Sequence, residues 1–490
     1  MPPIGKGLPR RSSLSRCYPS AVARLKRREI IKQKEKPWYD GGPGTPALPG
    51  EPCRTPPHPD WSENEKWAWE QICRGEPADF NKKYGYGLLL HDLTSWTDEE
   101  KAKRKISANF LKVILCYSPW RETPRRRVRI DGCFIDESVN LVGKKVQSGI
   151  WITRSVVTGD LLFNSMTIPA SLVLCATWIN GKLDLITTTI GGHLWLDYTI
   201  IRKKLILERI KVGLSVFMRN GIFLKPITMI FAQVSGNMQI GNSAFTFLSL
   251  RGSKIHGELM LVFRRNRPPR WIAGGKLSLR NAIIKHITDD LISWPDEIIF
   301  DGLTYTGLSG PTDDLNVKER ERSSKWYVDW LCKQKRYSQQ PYEQCAKVLR
   351  EAGQPDKANA VLYAGKERER ASLRKPGCWP GWRWLGQSFL RATIGYGLGY
   401  RYCRSLIWAL ALVYVGAVVF ASSDANWPKT IWRCFGYSLD MMLPLVQLAK
   451  DHYDKVDISG WQRYYFYFHQ LSGFVLASVV LAGLAGVIRK

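Results

Sequence analysis

Residues 393–397 read Thr-Ile-Gly-Tyr-Gly, a string whose backbone carbonyls, contributed by four chains, could replace the water around a potassium ion. That chemistry needs the loop to hang between two membrane-spanning helices. A second candidate is Ser438, Asp440, Pro444 and Gln447, within "CFGYSLDMMLPLVQLAK" at 434–450. Asp440 would be the charged group nearest an apolar phase and could line an ion path. A third is Asp184, His193 and Asp197, residue types that could perform acid–base work on a polymer. A 22-residue coil puts Asp184 and His193 on opposite half-turns, which argues against it. There is no GxGxxG after a strand, no phosphate loop, no GxSxG and no HExxH. The seven histidines, at 58, 91, 193, 256, 286, 452 and 469, show no HxxxH or His/Cys grouping, so no metal or cofactor is expected.

The element that decides among these is the membrane. Two stretches, 405–423 ("SLIWALALVYVGAVVFASS") and 470–488 ("QLSGFVLASVVLAGLAGVI"), carry no charge over nineteen residues. At ~1.5 Å per residue each covers roughly 28 Å, about the hydrocarbon thickness. Arg401 and Arg404 precede the first, and Arg489 and Lys490 follow the second, so both termini are expected on the cytoplasmic side. TIGYG then precedes the first span and is misplaced as a filter. Its glycines are expected to turn the chain from a headgroup-level helix, "CWPGWRWLGQSFLR" at 378–391, into the span. The 434–450 segment is too short to cross and is expected to be re-entrant or interfacial. Span, half-helix and span make the layout of a two-helix pore module; packing on the outer leaflet is the alternative. Small residues in the second span (Gly473, Ala477, Ser478, Ala482, Gly483, Ala485, Gly486) suit a homo-oligomer.

Residues 137–283 repeat every eleven residues, as in "ASLVLCATWIN" from 170, "GKLDLITTTIG" from 181 and "GHLWLDYTIIR" from 192. The third, fifth and tenth positions are apolar and the eighth is usually small. This predicts a mainly β fold, a parallel β-solenoid with two repeats per coil and about six coils. An eleven-residue helical supercoil competes, but β-branched residues and Gly at the repeat starts oppose it. On such a coil Trp151, Val173, Trp195 and Phe217 stack outward as an exposed apolar stripe, expected to dock an unknown ligand, domain or subunit. The insertion "FRRNRPPRW" at 263–271 offers Arg264, Arg265, Arg267 and Arg270 to anionic lipid, or to solvent.

Around the solenoid (121–305), residues 1–57 read as a disordered basic tail and 58–120 as a helical cap. Residues 306–375 read as a linker and αα-hairpin, and 376–490 as the membrane module. The net charge of +29 points to an anionic partner, and with spans present that is lipid rather than nucleic acid. Eleven scattered cysteines without CxxC, and no apolar leader in the first thirty residues, read as reduced thiols of a cytoplasmic chain. "GEPADFN", the L-x-L repeats, "QPYEQCAKVLREAG", "GYG" and the two spans together resemble a bacterial family commonly labelled membrane-associated oxidoreductase, over about residues 59–488. The resemblance implies an inner-membrane protein and, by its label, redox chemistry; it brings no catalytic residues.

Overall fold

The computed structural model describes residues 56–85, 96–122, 127–262, 267–310, 322–374, 381–399, 401, 404–425, 427–443, 448–449, 451–454 and 456–488. Side chains at 122, 273, 453, 454 and 479–488 are outside that description. The chain winds a parallel β-solenoid of about 8 turns, flanked by helices. Coils begin at Arg127, before the repeat is visible, and run to Ser309, beyond the insertion, which is why six was too few. Two compact units divide it, Met1–Phe245 and Thr246–Lys490.

In the first unit each 22-residue coil has four faces built from two-residue strands. Leu172–Val173, Trp178–Ile179, Leu183–Asp184 and Thr189–Ile190 pair in parallel with Leu194–Trp195, Ile200–Ile201, Leu205–Ile206 and Lys211–Val212. Each eleven-residue repeat therefore supplies half a coil. The inward Leu172, Leu174, Ile179, Leu183, Leu185 and Ile190 are fully buried, which is where the apolar periodicity goes. The corners were not foreseen. Arg154, Ser165, Ala176, Thr187, Tyr198, Arg209, Asn220, Phe231 and Asn242 all adopt left-handed backbone, φ +51° to +58°, one per repeat. Such a corner costs a non-glycine residue roughly 1–2 kcal/mol.

At three of these corners the next residue offsets part of that. Thr177, Thr188 and Thr199 donate their buried hydroxyls to the carbonyls of Ile152 (3.0 Å), Phe163 (2.6 Å) and Leu174 (2.6 Å), clasping one coil to the previous one. The repeat-start glycine has its own reason: a Cβ on Gly181 would sit 1.9 Å from the Gly159 carbonyl oxygen.

Four helices cap these coils: α1 (Glu63–Arg74), α2 (Phe80–Tyr84), α3 (Asp98–Arg104) and α4 (Ala108–Cys116). "GEPADFN" lies in this cap. Gly75 ends α1 with φ +79°, Ala78–Asp79 pairs with Ile130–Asp131, and Asp79 caps α2 while its carboxylate holds Arg154 at 3.2 Å. Asn81 accepts from the buried Arg104 at 2.9 Å. Cys116, Cys133 and Cys175 are free thiols, but Cys73 is disulfide-bonded, which corrects the expectation of uniformly reduced cysteines.

In the second unit Lys254–Met260, Ile283–Thr288 and Thr304–Ser309 form successive parallel rungs. Helix α5 (Ser324–Cys332) buries Trp330 against Trp294, Phe300 and Tyr305, with ring centroids 4.6–6.1 Å apart. Helices α6 (Gln340–Glu351) and α7 (Pro355–Ser372) follow as a hairpin turned at Gly353. α8 (Trp382–Ile394) leads through the Gly395–Gly397 turn to α9 (Arg404–Ala421); then come α10 (Ile431–Met442), α11 (Asp451–Asp454) and α12 (Trp461–Ile488). TIGYG is thus a corner: Gly395, Tyr396 and Gly397 all have φ between +56° and +70°.

Among the described residues, α9 alone is long and apolar enough to cross a membrane. Its Ile407 and Leu410 are 67 % and 72 % exposed, unlike a core helix. The second expected span lies on α12, whose side chains from 479 onward are outside the described residues, so a second crossing does not follow from the fold.

Candidate functional site

A buried polar cluster lies where α9, α10 and α12 pack on one another. Glycine permits the approach. A Cβ on Gly416 of α9 would lie 2.1 Å from Ser438 Oγ, and one on Gly473 of α12 would lie 2.0 Å from the Met442 carbonyl oxygen. Gly473, expected to serve contacts between copies, is therefore used within the chain.

Around these glycines α10 presents Ser438 and Asp440, both fully buried. Ser438 donates its hydroxyl to the Val413 carbonyl at 2.9 Å, answering one acceptor of α9. The His469 Nε2–H of α12 donates to the Ser438 carbonyl at 3.0 Å, and Nδ1 faces the Tyr465 hydroxyl at 3.4 Å. Asp440 accepts from the Leu448 N–H at 2.7 Å, the Ala449 N–H at 3.3 Å and His452 Nδ1 at 2.8 Å. Its carboxylate thus ties the chain after α10 back onto α10. Tyr437 stacks on Phe420 at 4.1 Å and meets His452 and Phe466 edge-on.

Of the residues singled out in sequence, Ser438 and Asp440 are brought into this cluster, while Pro444 and Gln447 lie outside the described residues. Asp440 does not face open space within the chain. His452, His469, Gly416 and Gly473 were missed as its members. The only sequence signals were a histidine in the charged run after the half-helix and one four residues beyond Tyr465.

On the solenoid, Trp151, Val173, Trp195 and Phe217 stack in register as expected. The stack is less open than expected: Trp151 and Val173 are buried and the other two half-buried. Arg127 and Arg129 lie over Trp151, Arg219 over Phe217, and His193 against both Trp195 and Phe217. Asp197 is consumed by Trp195 Nε1 (2.8 Å) and by the N–H (2.7 Å) and Nε (2.9 Å) of Arg219. His193 Nδ1 accepts from the Ser215 N–H at 3.1 Å, and burial lowers its pKa. It lies on a different face from Asp184, so no acid–base pair forms.

In the insertion, Arg270 is exposed and Arg267 half-buried, while Arg264 and Arg265 lie outside the described residues. Among the described residues no group of three or more His, Cys, Asp or Glu gathers as metal ligands would. Comparison with models of known protein families, with characterised proteins and with solved structures finds no match to this chain.

Proposed function

We propose that this is an integral membrane protein in which a β-solenoid receives a ligand or partner and an αα-hairpin passes its state to an oligomeric, channel-like helical module. The module has two spans, α9 and the apolar end of α12, and in this reading lies in a bacterial inner membrane with both termini cytoplasmic. One observation carries the reading: α10, twelve residues and ~18 Å long, is too short to cross and packs between two longer apolar helices. Its inner face carries Ser438 and Asp440, polar groups that a lipid-exposed helix would not hold.

A second reading, a membrane-anchored scaffold without a pore, is favoured by the complete burial and bonding of Asp440. Ion flux into liposomes reconstituted with the full-length protein separates the two. The channel reading expects flux that Asp440→Asn alters, and the scaffold reading expects none. An absorbance scan of the same sample for bound flavin or haem tests the redox chemistry that the family resemblance implies.

A further inference from the structure

We propose that α8 is a receptor for an anionic phospholipid surface and that Arg391 exchanges between a lipid phosphate and Glu367. This deepens the membrane reading and rests on it.

None of the α8 side chains is buried. Trp382, Leu385 and Phe389, at i, i+3 and i+7, form one apolar face and are 89 %, 40 % and 64 % exposed. No Asp or Glu occurs from 371 to 423, while Arg374, Lys375, Arg383, Arg391, Arg401 and Arg404 do. An aromatic apolar face flanked only by cations is the chemistry of a helix lying in an anionic headgroup layer.

The position of α8 agrees. Arg404 donates to the Arg391 carbonyl at 3.3 Å and Trp408 Nε1 to the Ala392 carbonyl at 3.0 Å, so the end of α8 is fastened to the first turns of α9. A bilayer crossed by α9 therefore has its headgroups at the level of α8, and Leu406 and Ile407 in the first turn of α9 are exposed as well.

Arg391 also ties α8 to the hairpin, alongside Arg370 over Trp384 and Arg401 over Tyr363. It pairs with Glu367 of α7 at 2.9 Å, where its side chain stays 47 % exposed. Glu367 keeps two other partners, Arg370 at 3.1 Å and the Tyr396 hydroxyl at 3.1 Å. A phosphate can take Arg391 without leaving the carboxylate unpaired. The exchange loosens α8 from α7 and so couples lipid charge to the hairpin.

The test purifies the full-length protein from membranes supplemented equally with phosphatidylglycerol and phosphatidylcholine and weighs the co-purifying lipid by mass spectrometry. Phosphatidylglycerol is expected to be enriched. Arg383→Gln and Arg391→Gln should each lower the enrichment by up to about fivefold, the factor for one basic residue at an anionic surface. Arg391→Lys should retain it, and Glu367→Gln should raise it by freeing Arg391. A photo-crosslinker at position 389 should yield lipid adducts. Equal lipid uptake, or enrichment untouched by these changes, overturns the proposal, as does an adduct joining two copies of the chain. Alkaline carbonate extraction of the same membranes keeps the two claims apart: a chain washed free contradicts the membrane reading itself, whereas a retained chain without enrichment contradicts only the lipid receptor.

Discussion

The Gly302 N–H donates to Gln340 Oε1 at 2.8 Å, and the same amide returns a hydrogen bond to the Leu303 carbonyl at 2.9 Å. Gln344 adds a bond to the Tyr305 carbonyl at 2.7 Å, and Gln334 accepts from the Phe300 N–H at 2.7 Å. A solenoid's last coil exposes an unpaired strand edge, which invites pairing with another chain. Here three glutamine side chains seal it, two of them from the hairpin that leads towards α8 and α9. "QPYEQCAKVLREAG" therefore caps the last rung of the second unit, much as "GEPADFN" caps the coils of the first.

Replacing Gln340 and Gln344 together by Ala should strip partners from the Gly302 N–H and the Leu303 and Tyr305 carbonyls. Each buried group so orphaned costs about 1–3 kcal/mol. Hydrogen exchange over 300–309 should accelerate sharply while the coils around 172–212 stay protected. Unchanged exchange at 300–309 would mean that the edge is sealed by something else.

The two module glycines should differ. Gly473→Ala sets a methyl against a backbone oxygen, which cannot rotate away, so α12 must shift from α10. Gly416→Ala meets chiefly the Ser438 hydroxyl, which can turn aside at the loss of its bond to Val413, while His469 Cε1 and Ser438 Cβ, 3.0 and 3.1 Å away, must give by a few tenths of an ångström. Thermal melting of the detergent-solubilised protein should show a loss of about 1–3 kcal/mol for Gly473→Ala, the usual range for overpacking. About 1 kcal/mol is expected for Gly416→Ala. The reverse order would contradict the packing described for α9, α10 and α12.

Asp440→Ala removes the acceptor for two backbone N–H groups and for His452. The segment between α10 and α11 should then be cut by protease far faster than in the parent chain, with a stability loss on the order of 2–3 kcal/mol. Leu439→Ala, on the exposed side of the same helix, controls for general loosening. Equal cleavage of the two variants would deny Asp440 its tethering role.

Burial pushes the Asp289 carboxyl up to about 6, against the opposing pull of Arg322 at 2.8 Å and a hydrogen bond from the Trp294 indole. An unfolded Asp titrates near 3.9, so the folded chain holds this proton more tightly. The stability it contributes is complete below about pH 4, is lost as pH rises through about 6, and is flat above. Measured against Asp289→Asn, which does not titrate there, the parent should lose on the order of 3 kcal/mol across that window. A difference between the two chains that stays constant from pH 4 to 7 would contradict the raised value.

The solenoid was legible because its inward positions must be apolar at a fixed spacing, as Leu172, Leu174 and Ile179 show. Its four faces and left-handed corners were not, because the corner residues include Arg154, Ala176, Tyr198 and Phe231, none of which advertises positive φ. The helical site was half legible. Asp440 stands out as a carboxylate in an apolar stretch, but His452 and His469 reach Asp440 and Ser438 only through packing. The stripe was found and its openness overestimated, since Arg127 and Arg129 come from a rung whose pairing with Trp151 no repeat announces.

In the proposed topology a membrane separates the solenoid from the loop between α9 and α12. Biotin-acceptor tags at Gly143, an exposed corner, and after Asp457, probed in membrane vesicles of known orientation, test it directly. Labelling from opposite faces is expected, with a tag after Lys490 sharing the face of Gly143. Labelling of Gly143 and Asp457 from the same face would contradict the claim.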